Sequence, residues 1–265
     1  MAITIAEIQR KKDAGEKISM ITTYDATFAK LVEAAGIDMI LIGDSLGNVM
    51  QGNDTTLAVT VDDIIYHARC VLRGCTTPLV VADMPFGSYQ VSDEEGVRNG
   101  IRIMKESGCH AVKLEGGARC VSLVRRLVDA GVPVMGHLGL TPQSVNTMSG
   151  YHVQGKGDTA AETLFKDAKL LAEAGAFSVV LECVPRSLAK RVQDALSIPV
   201  IGIGAGPDTA GQVLVIQDAL GLNTGKKSKF VRQYASLADT VIQALKSYNQ
   251  SVKDGSFPSD QESYH

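Results

Sequence analysis

Four times in this chain a helical stretch ends in glycine and passes within a few residues into a short apolar run: EAAGIDMILIGD, KESGCHAVKLEGG, VDAGVPVMGHLG and AEAGAFSVVLECV. Gly36, Gly108, Gly131 and Gly175 stand where a helix closes in the left-handed conformation, which glycine adopts without steric cost. A repeated order of helix, glycine and buried strand demands parallel strands joined by helical crossovers, because parallel neighbours cannot be linked by a tight turn.

Reading the apolar runs in order gives eight candidate strands: Ser19–Thr23, Met39–Gly43, Leu79–Ala82, Ala111–Leu114, Val134–His137, Ser178–Leu181, Val200–Ile203 and Val213–Ile216. They are short, often β-branched and near-continuously apolar, as expected of parallel strands covered on both faces. Amphipathic stretches at Thr60–Arg73 and Ser92–Ser107 lie between them, the second opening with Ser92 and Glu95 at capping-box spacing. Eight strands in series, with no GxGxxG turn after the first, predict a (β/α)₈ TIM barrel rather than a doubly wound sheet. The 265 residues suit a single such domain over 1–265, with Thr4–Ala14 and Ser236–Val252 as extra terminal helices and a polar strap from Asp254 to His265. One interval resists. Gly204–Gln212 is shorter than a parallel crossover ordinarily is.

In such a barrel the active site is built at the carboxyl ends of the strands. Here those ends carry ionisable groups: Asp44 and Ser45 after strand two, Asp83 after three, Lys113 and Glu115 on four, His137 on five, Glu182 on six and Asp218 after eight. Lys113 and Glu115 are two apart, so strand alternation points both inward. Asp25, Asp158 and Asp208 are read instead as helix N-caps. Long loops follow Asp44 and run from His137 to Asp158, a feature more often functional than ornamental in a compact domain. Converging carboxylates need more positive charge than Lys113 supplies, and with no cysteine or histidine pair at metal spacing a hard divalent ion such as Mg²⁺ is the economical answer. Lys113, among acids, reads as a cationic clamp for a substrate carboxylate rather than a Schiff-base lysine. The IGIGAG run after strand seven fits either a phosphate cradle or close backbone packing.

A net charge of −3 gives no basic footprint for nucleic acid or an anionic membrane, which leaves a small-molecule partner. Five scattered cysteines form no CxxC pair and suit a reducing compartment. The N-terminus is charged where a signal peptide is apolar, and no run approaches the ~18 apolar residues of a membrane span, so a cytoplasmic location is expected.

The strings GDSLGNVMQG, VTVDDIIYHARCV, ADMPFGSY, VKLEGG, GHLGLTPQSVN, LECVP and IPVIGIGAG, in this order, closely resemble the 3-methyl-2-oxobutanoate (ketopantoate) hydroxymethyltransferase family from about Thr4 to the tail. The resemblance implies a Mg²⁺-dependent (β/α)₈ barrel, one ion per subunit, typically a homodecamer. It implies transfer of a hydroxymethyl group from 5,10-methylenetetrahydrofolate to 3-methyl-2-oxobutanoate, giving 2-dehydropantoate for pantothenate and coenzyme A biosynthesis. By motif, Asp44 and Asp83 match metal ligands and Glu115 adjoins the metal; Asp44, Ser45, Asp83 and Lys113 match substrate-binding positions; Glu182 matches the proton acceptor. Three places depart from the family pattern: Asn53 where a histidine is expected, Ile216-Gln217-Asp218 in place of MHD, and KKSKF at Lys226–Phe230. Mg²⁺-dependent 2-oxo acid aldolases and lyases of the phosphoenolpyruvate mutase and isocitrate lyase kind run similar enolate chemistry and form the alternative, beside a barrel that only binds a metabolite.

Overall fold

A computed structural model describes residues 2–225 and 227–265. By its internal contacts the chain divides into two compact units, one running to Val215 and the other Ile216–His265. The first contains, in order, α1 (Ile5–Asp13), β1 (Ile18–Thr22), α2 (Ala26–Ala34), β2 (Met39–Ile42), α3 (Leu46–Val49), α4 (Val61–Leu72), β3 (Leu79–Asp83), α5 (Asp93–Ser107), β4 (Ala111–Glu115), α6 (Val121–Asp129), β5 (Val134–Gly139), α7 (Asp158–Glu173), β6 (Ser178–Glu182), α8 (Arg186–Ala195), β7 (Val200–Ile203) and β8 (Gly211–Leu214). The strands pair in sequence order and β8 returns to β1, so the sheet closes as the expected (β/α)₈ barrel. The second unit holds α9 (Ile216–Ala219) and α10 (Leu237–Asp254).

Local sequence explains these elements. Gly36, Gly108, Gly131 and Gly175 all adopt positive φ, between 72° and 99°, where their helices hand over to the next strand. Ser92 caps α5 by accepting from the Glu95 amide at 3.2 Å, and Asp25 caps α2 by accepting from the Phe28 amide at 2.9 Å. The other two acids read as caps differ. Asp158 is the first residue inside α7, whose cap is Gly157. Asp208 lies in a loop with no helix to cap and pairs with Arg186, Oδ1 accepting from Nη2 at 3.1 Å.

The eighth strand begins two residues earlier than expected and ends at Leu214. Gly211 and Gln212 carry no apolar signal, yet Gly211 must be in the sheet: a Cβ there would sit 2.5 Å from the Ile18 carbonyl oxygen. The β7–β8 connection is a hydrogen-bonded loop without a helix, which is why it is so short. Gln212 Nε2 folds back onto the Gly206 carbonyl and Thr209 Oγ1, each at 2.8 Å, and Lys17 Nζ donates to the Thr209 carbonyl at 2.5 Å. Gly206 admits Arg186, whose Cγ would lie 2.7 Å from an added Cβ, so the close-packing reading of the IGIGAG run finds its reason here. Because β8 stops at Leu214, Asp218 does not close a strand. It lies on α9, where its Oδ1 accepts from Asn223 Nδ2. Of the KKSKF departure, Lys226 falls outside the described residues.

Inside the barrel, alternate residues stack in layers. The apolar layers include Met20, Met39, Leu79, Val81, Ala111, Met135, Val180 and Ile201, joined by Ile8 from α1. Two residues further along the same strands, the inward positions turn ionic: Asp83 follows Val81, Lys113 follows Ala111, His137 follows Met135 and Glu182 follows Val180. The hydrophobic floor thus fixes a charged ring above it, since a slip of one residue would turn both outward.

Candidate active site

The register aligns the ring. Asp83 pairs with Lys113 and Glu115 with His137 across adjacent strands, and Gly139 pairs with Glu182. Lys113 Nζ stands 2.9 Å from Asp83 Oδ1. His137 Nδ1 is 3.3 Å from Glu115 Oε1, and its Nε2 is 3.2 Å from Glu182 Oε2. Asp44, just past β2, donates its backbone N–H to Asp83 Oδ2 at 3.0 Å. Ser45 Oγ shares a 2.8 Å hydrogen bond with the buried Tyr24 hydroxyl. All six carried-over residues, Asp44, Ser45, Asp83, Lys113, Glu115 and Glu182, therefore meet at one end of the barrel. His137 joins them.

Burial sets the electrostatics. It pushes Asp44 up to about 8, with the neighbouring charges of Asp83 and Glu115 adding to the effect. Asp83 is also raised by burial, against the pull of Lys113. Burial disfavours the Lys113 charge, yet Asp83, Glu115 and Asp44 outweigh it and hold the ammonium firmly protonated. For His137, burial and Lys113 oppose protonation, but the carboxylates of Glu115 and Glu182 prevail and raise it to about 9. The two ring nitrogens face Glu115 and Glu182 at ion-pair distance, though neither Nε2 nor Glu115 Oε1 makes a hydrogen bond in proper geometry. Lys113 Nζ also stands 3.3 Å from His137 Nδ1.

This donor set fits a hard cation. Asp83 Oδ1 and Glu115 Oε1 are buried but take no hydrogen bond in proper geometry. Buried anionic oxygens short of donors are what a hard cation satisfies. Among the described residues no three His, Cys, Asp or Glu side chains form a ready-made metal cluster. Carboxylate oxygens such as these are the donors a hard ion takes beside water or substrate oxygens.

Two residues that sequence reading missed complete the site. Gln143, in the 3₁₀ turn Pro142–Ser144 after β5, donates its backbone N–H to Glu115 Oε2 at 3.0 Å and its Nε2 to Asp44 Oδ2 at 2.9 Å. The Tyr89 hydroxyl donates to Gln143 Oε1 at 2.7 Å and accepts from the Glu115 amide at 3.0 Å. Their only sequence signals are membership of the GHLGLTPQSVN and ADMPFGSY blocks and of loops at the correct end of the barrel. Asn53, where the family pattern has histidine, stays within its own loop, with Nδ2 donating to Gln51 Oε1 at 2.9 Å.

The backbone beneath Glu182 is pinned from three sides. Leu140 donates to the Glu182 carbonyl at 2.8 Å, Cys183 donates to Ile203 at 2.8 Å and Gln154 donates to Cys183 at 2.9 Å. Cys183 itself has φ of 49°, a left-handed value that costs a non-glycine residue about 1–3 kcal/mol. Its thiol, raised to about 11 by burial and by Glu182, stays protonated. Next to this corner a cavity of about 570 Å³ opens, lined among others by Gly116, Gly139, Thr141, Ser144, Met148 and Leu164.

Solved structures of low sequence identity share the architecture. A 2,3-dimethylmalate lyase of the PEP mutase/isocitrate lyase superfamily superposes with a TM-score of 0.61 at 17% identity, covering 100% of this chain and 93% of that one. A phosphonopyruvate hydrolase in complex with oxalate and Mg²⁺ gives 0.62 at 12% identity, covering 99% and 93%. At these identities the likeness is one of fold. Sequence relatives are far closer. The 3-methyl-2-oxobutanoate hydroxymethyltransferase of Syntrophus aciditrophicus is 52% identical over 262 residues, covering 99% of this chain and 96% of its own. That of Salinibacter ruber is 53% identical, covering 99% of each. The family model for ketopantoate hydroxymethyltransferase matches residues 2–260, and the chain belongs to that family.

Proposed function

We propose that this chain transfers a hydroxymethyl group from 5,10-methylenetetrahydrofolate to 3-methyl-2-oxobutanoate, giving 2-dehydropantoate for pantothenate and coenzyme A biosynthesis. The observation that carries the reading is the pairing of Glu182, at the rim and held 3.2 Å from His137, with a ring of buried carboxylates that calls for a cation. A proton acceptor and an electrophile on one mouth are the two parts that enolisation of a 2-oxo acid requires.

Asp44 and Asp83 are the residues to hold Mg²⁺, with Glu115 adjoining. When bound, the ion supplies Lewis acidity that draws electron density from the keto group and acidifies the C3 hydrogen. Lys113 presents its ammonium to the substrate carboxylate, and Ser45, backed by Tyr24, offers a hydroxyl beside it. Glu182 takes the proton from C3, and His137 keeps its carboxylate aimed. The resulting enolate carbon bonds to the methylene carbon, water supplies the hydroxyl oxygen as both carbon–nitrogen bonds to the folate break, and tetrahydrofolate leaves with its nitrogens protonated. The cavity by Gly116 and Gly139 has the size of pockets that take drug-sized molecules, and we place the donor there. In keeping with the family resemblance, the working form is a cytoplasmic homodecamer, which light scattering on a sizing column would test.

Deuterium exchange at C3 of 3-methyl-2-oxobutanoate, followed by NMR with Mg²⁺ and then with chelator, tests the chemistry. Metal-dependent exchange followed by folate-dependent product is expected. Carbon–carbon cleavage of a 2-oxo acid without folate would favour the lyase alternative and reject this reading.

A further inference from the structure

We propose that Gln143 is the positioning residue of the carboxylate ring, fixing the orientation of Asp44 and Glu115 from the turn that follows β5. The inference rests on the reading of the ring as a cation site.

The glutamine is 5% exposed, and its side-chain amide is saturated. Nε2 donates to Asp44 Oδ2 and to the Met84 carbonyl, both at 2.9 Å, while Oε1 accepts from Tyr89 at 2.7 Å and Gln90 at 3.1 Å. Two N–H groups and two lone pairs are thereby used. This inventory also fixes which way the amide faces. The Met84 carbonyl can only accept, so the flipped amide would set one carbonyl oxygen against another. The backbone N–H of the same residue holds Glu115 Oε2 at 3.0 Å. One residue therefore grips two carboxylates from different strand ends, and leaves Glu115 Oε1 without a hydrogen bond in proper geometry. Tyr89 acts one step behind. By accepting from the Glu115 amide and donating to Gln143, it keeps the turn at Pro142–Ser144 in register with β4. An ordinary buried glutamine would satisfy itself on backbone. This one spends a donor on a carboxylate that burial already makes costly to ionise, which is useful only if that carboxylate must be aimed.

Gln143→Met keeps length and volume and removes the side-chain bonds, and Tyr89→Phe removes only the hydroxyl. Binding of Mn²⁺ to the full chain, read from the electron paramagnetic resonance of the free ion, should weaken by about 10- to 100-fold in Gln143→Met and in the same direction in Tyr89→Phe. At saturating Mn²⁺ the C3 exchange rate should recover toward wild type, a rescue that a damaged fold would not show. Unchanged Mn²⁺ affinity in a folded Gln143→Met protein, with melting in chelator as the control, overturns the proposal. If Gln143→Met does not fold, unchanged affinity in Tyr89→Phe overturns it instead. A wild-type chain that binds no Mn²⁺ sinks the cation reading itself, and this inference with it.

Discussion

His137 Nε2 and Glu182 Oε2 lie 3.2 Å apart across two adjacent strands. The histidine is buried to 3% exposure while the glutamate side chain keeps 16%, so the pair joins the sealed ring to the open rim. A proton acceptor with that placement can reach a substrate without itself being buried, and its carboxylate faces a buried partner.

Glu182→Gln keeps the shape and the His137 contact but removes the basic oxygen. Exchange of the C3 proton should fall by about 10²–10⁴-fold, the usual worth of a positioned general base. Binding of the oxo acid in the presence of Mg²⁺ should persist, as measured by calorimetry. Exchange at the wild-type rate would remove Glu182 from its role.

Proton linkage gives a second prediction. Asp44 rises from 3.8 to about 8 and His137 from 6.5 to about 9 on folding. Both groups bind protons more tightly in the folded chain, so each contributes stability at low pH that is lost as pH rises through its window. Metal-free protein should therefore lose stability to urea between about pH 4 and 8 through Asp44 and between about 6.5 and 9 through His137. Acid unfolding of other groups bounds this at the low end. Below pH 8, Mg²⁺ must displace the Asp44 proton, and titration calorimetry in buffers of different ionisation enthalpy should detect its release.

Gly139→Ala should be costly. Its φ is +91°, and an added Cβ would lie 2.2 Å from the Glu182 carbonyl oxygen, a backbone atom that cannot swing aside. Left-handed strain alone is worth about 1–3 kcal/mol, and the clash must also displace Glu182. Denaturant midpoint and C3 exchange should drop together. A loss of stability with full activity would show that the Glu182 backbone has slack.

Lys113→Met removes the buried partner of Asp83. Breaking such a pair from one side typically costs about 3–5 kcal/mol because a charge is left buried and uncompensated. The loss, read by urea denaturation, should be partly restored by Mg²⁺, and the KM for the oxo acid should rise.

The fold was legible in the order of helix, glycine and apolar run, and the ring in what stands at the end of each run. Asp83, Lys113, His137 and Glu182 each sit two residues beyond an apolar inward position, and Glu115 two beyond Lys113, so the inward pattern of the strand also identifies what caps it. Where that pattern fails, so does the reading. Gly211 and Gln212 are strand residues without an apolar side chain, and the run Leu214-Val215-Ile216 pulled the expected strand past its true end and Asp218 with it. Gln143 and Tyr89 are loop residues whose contacts join positions 54 apart in sequence, and no periodicity records such a contact.

The barrel seam lies between its first and last strands, with Ile18 opposite Gly211. That pairing cannot form until nearly the whole first unit has been synthesised, so the ring closes through a contact of the least local kind, the sort that slows folding. Until then β1 and β7 both present unpaired edges, which are templates for intermolecular sheet growth. The helix-free loop before β8 shortens that exposed interval, since the closing strand follows β7 directly and needs no crossover helix to form first.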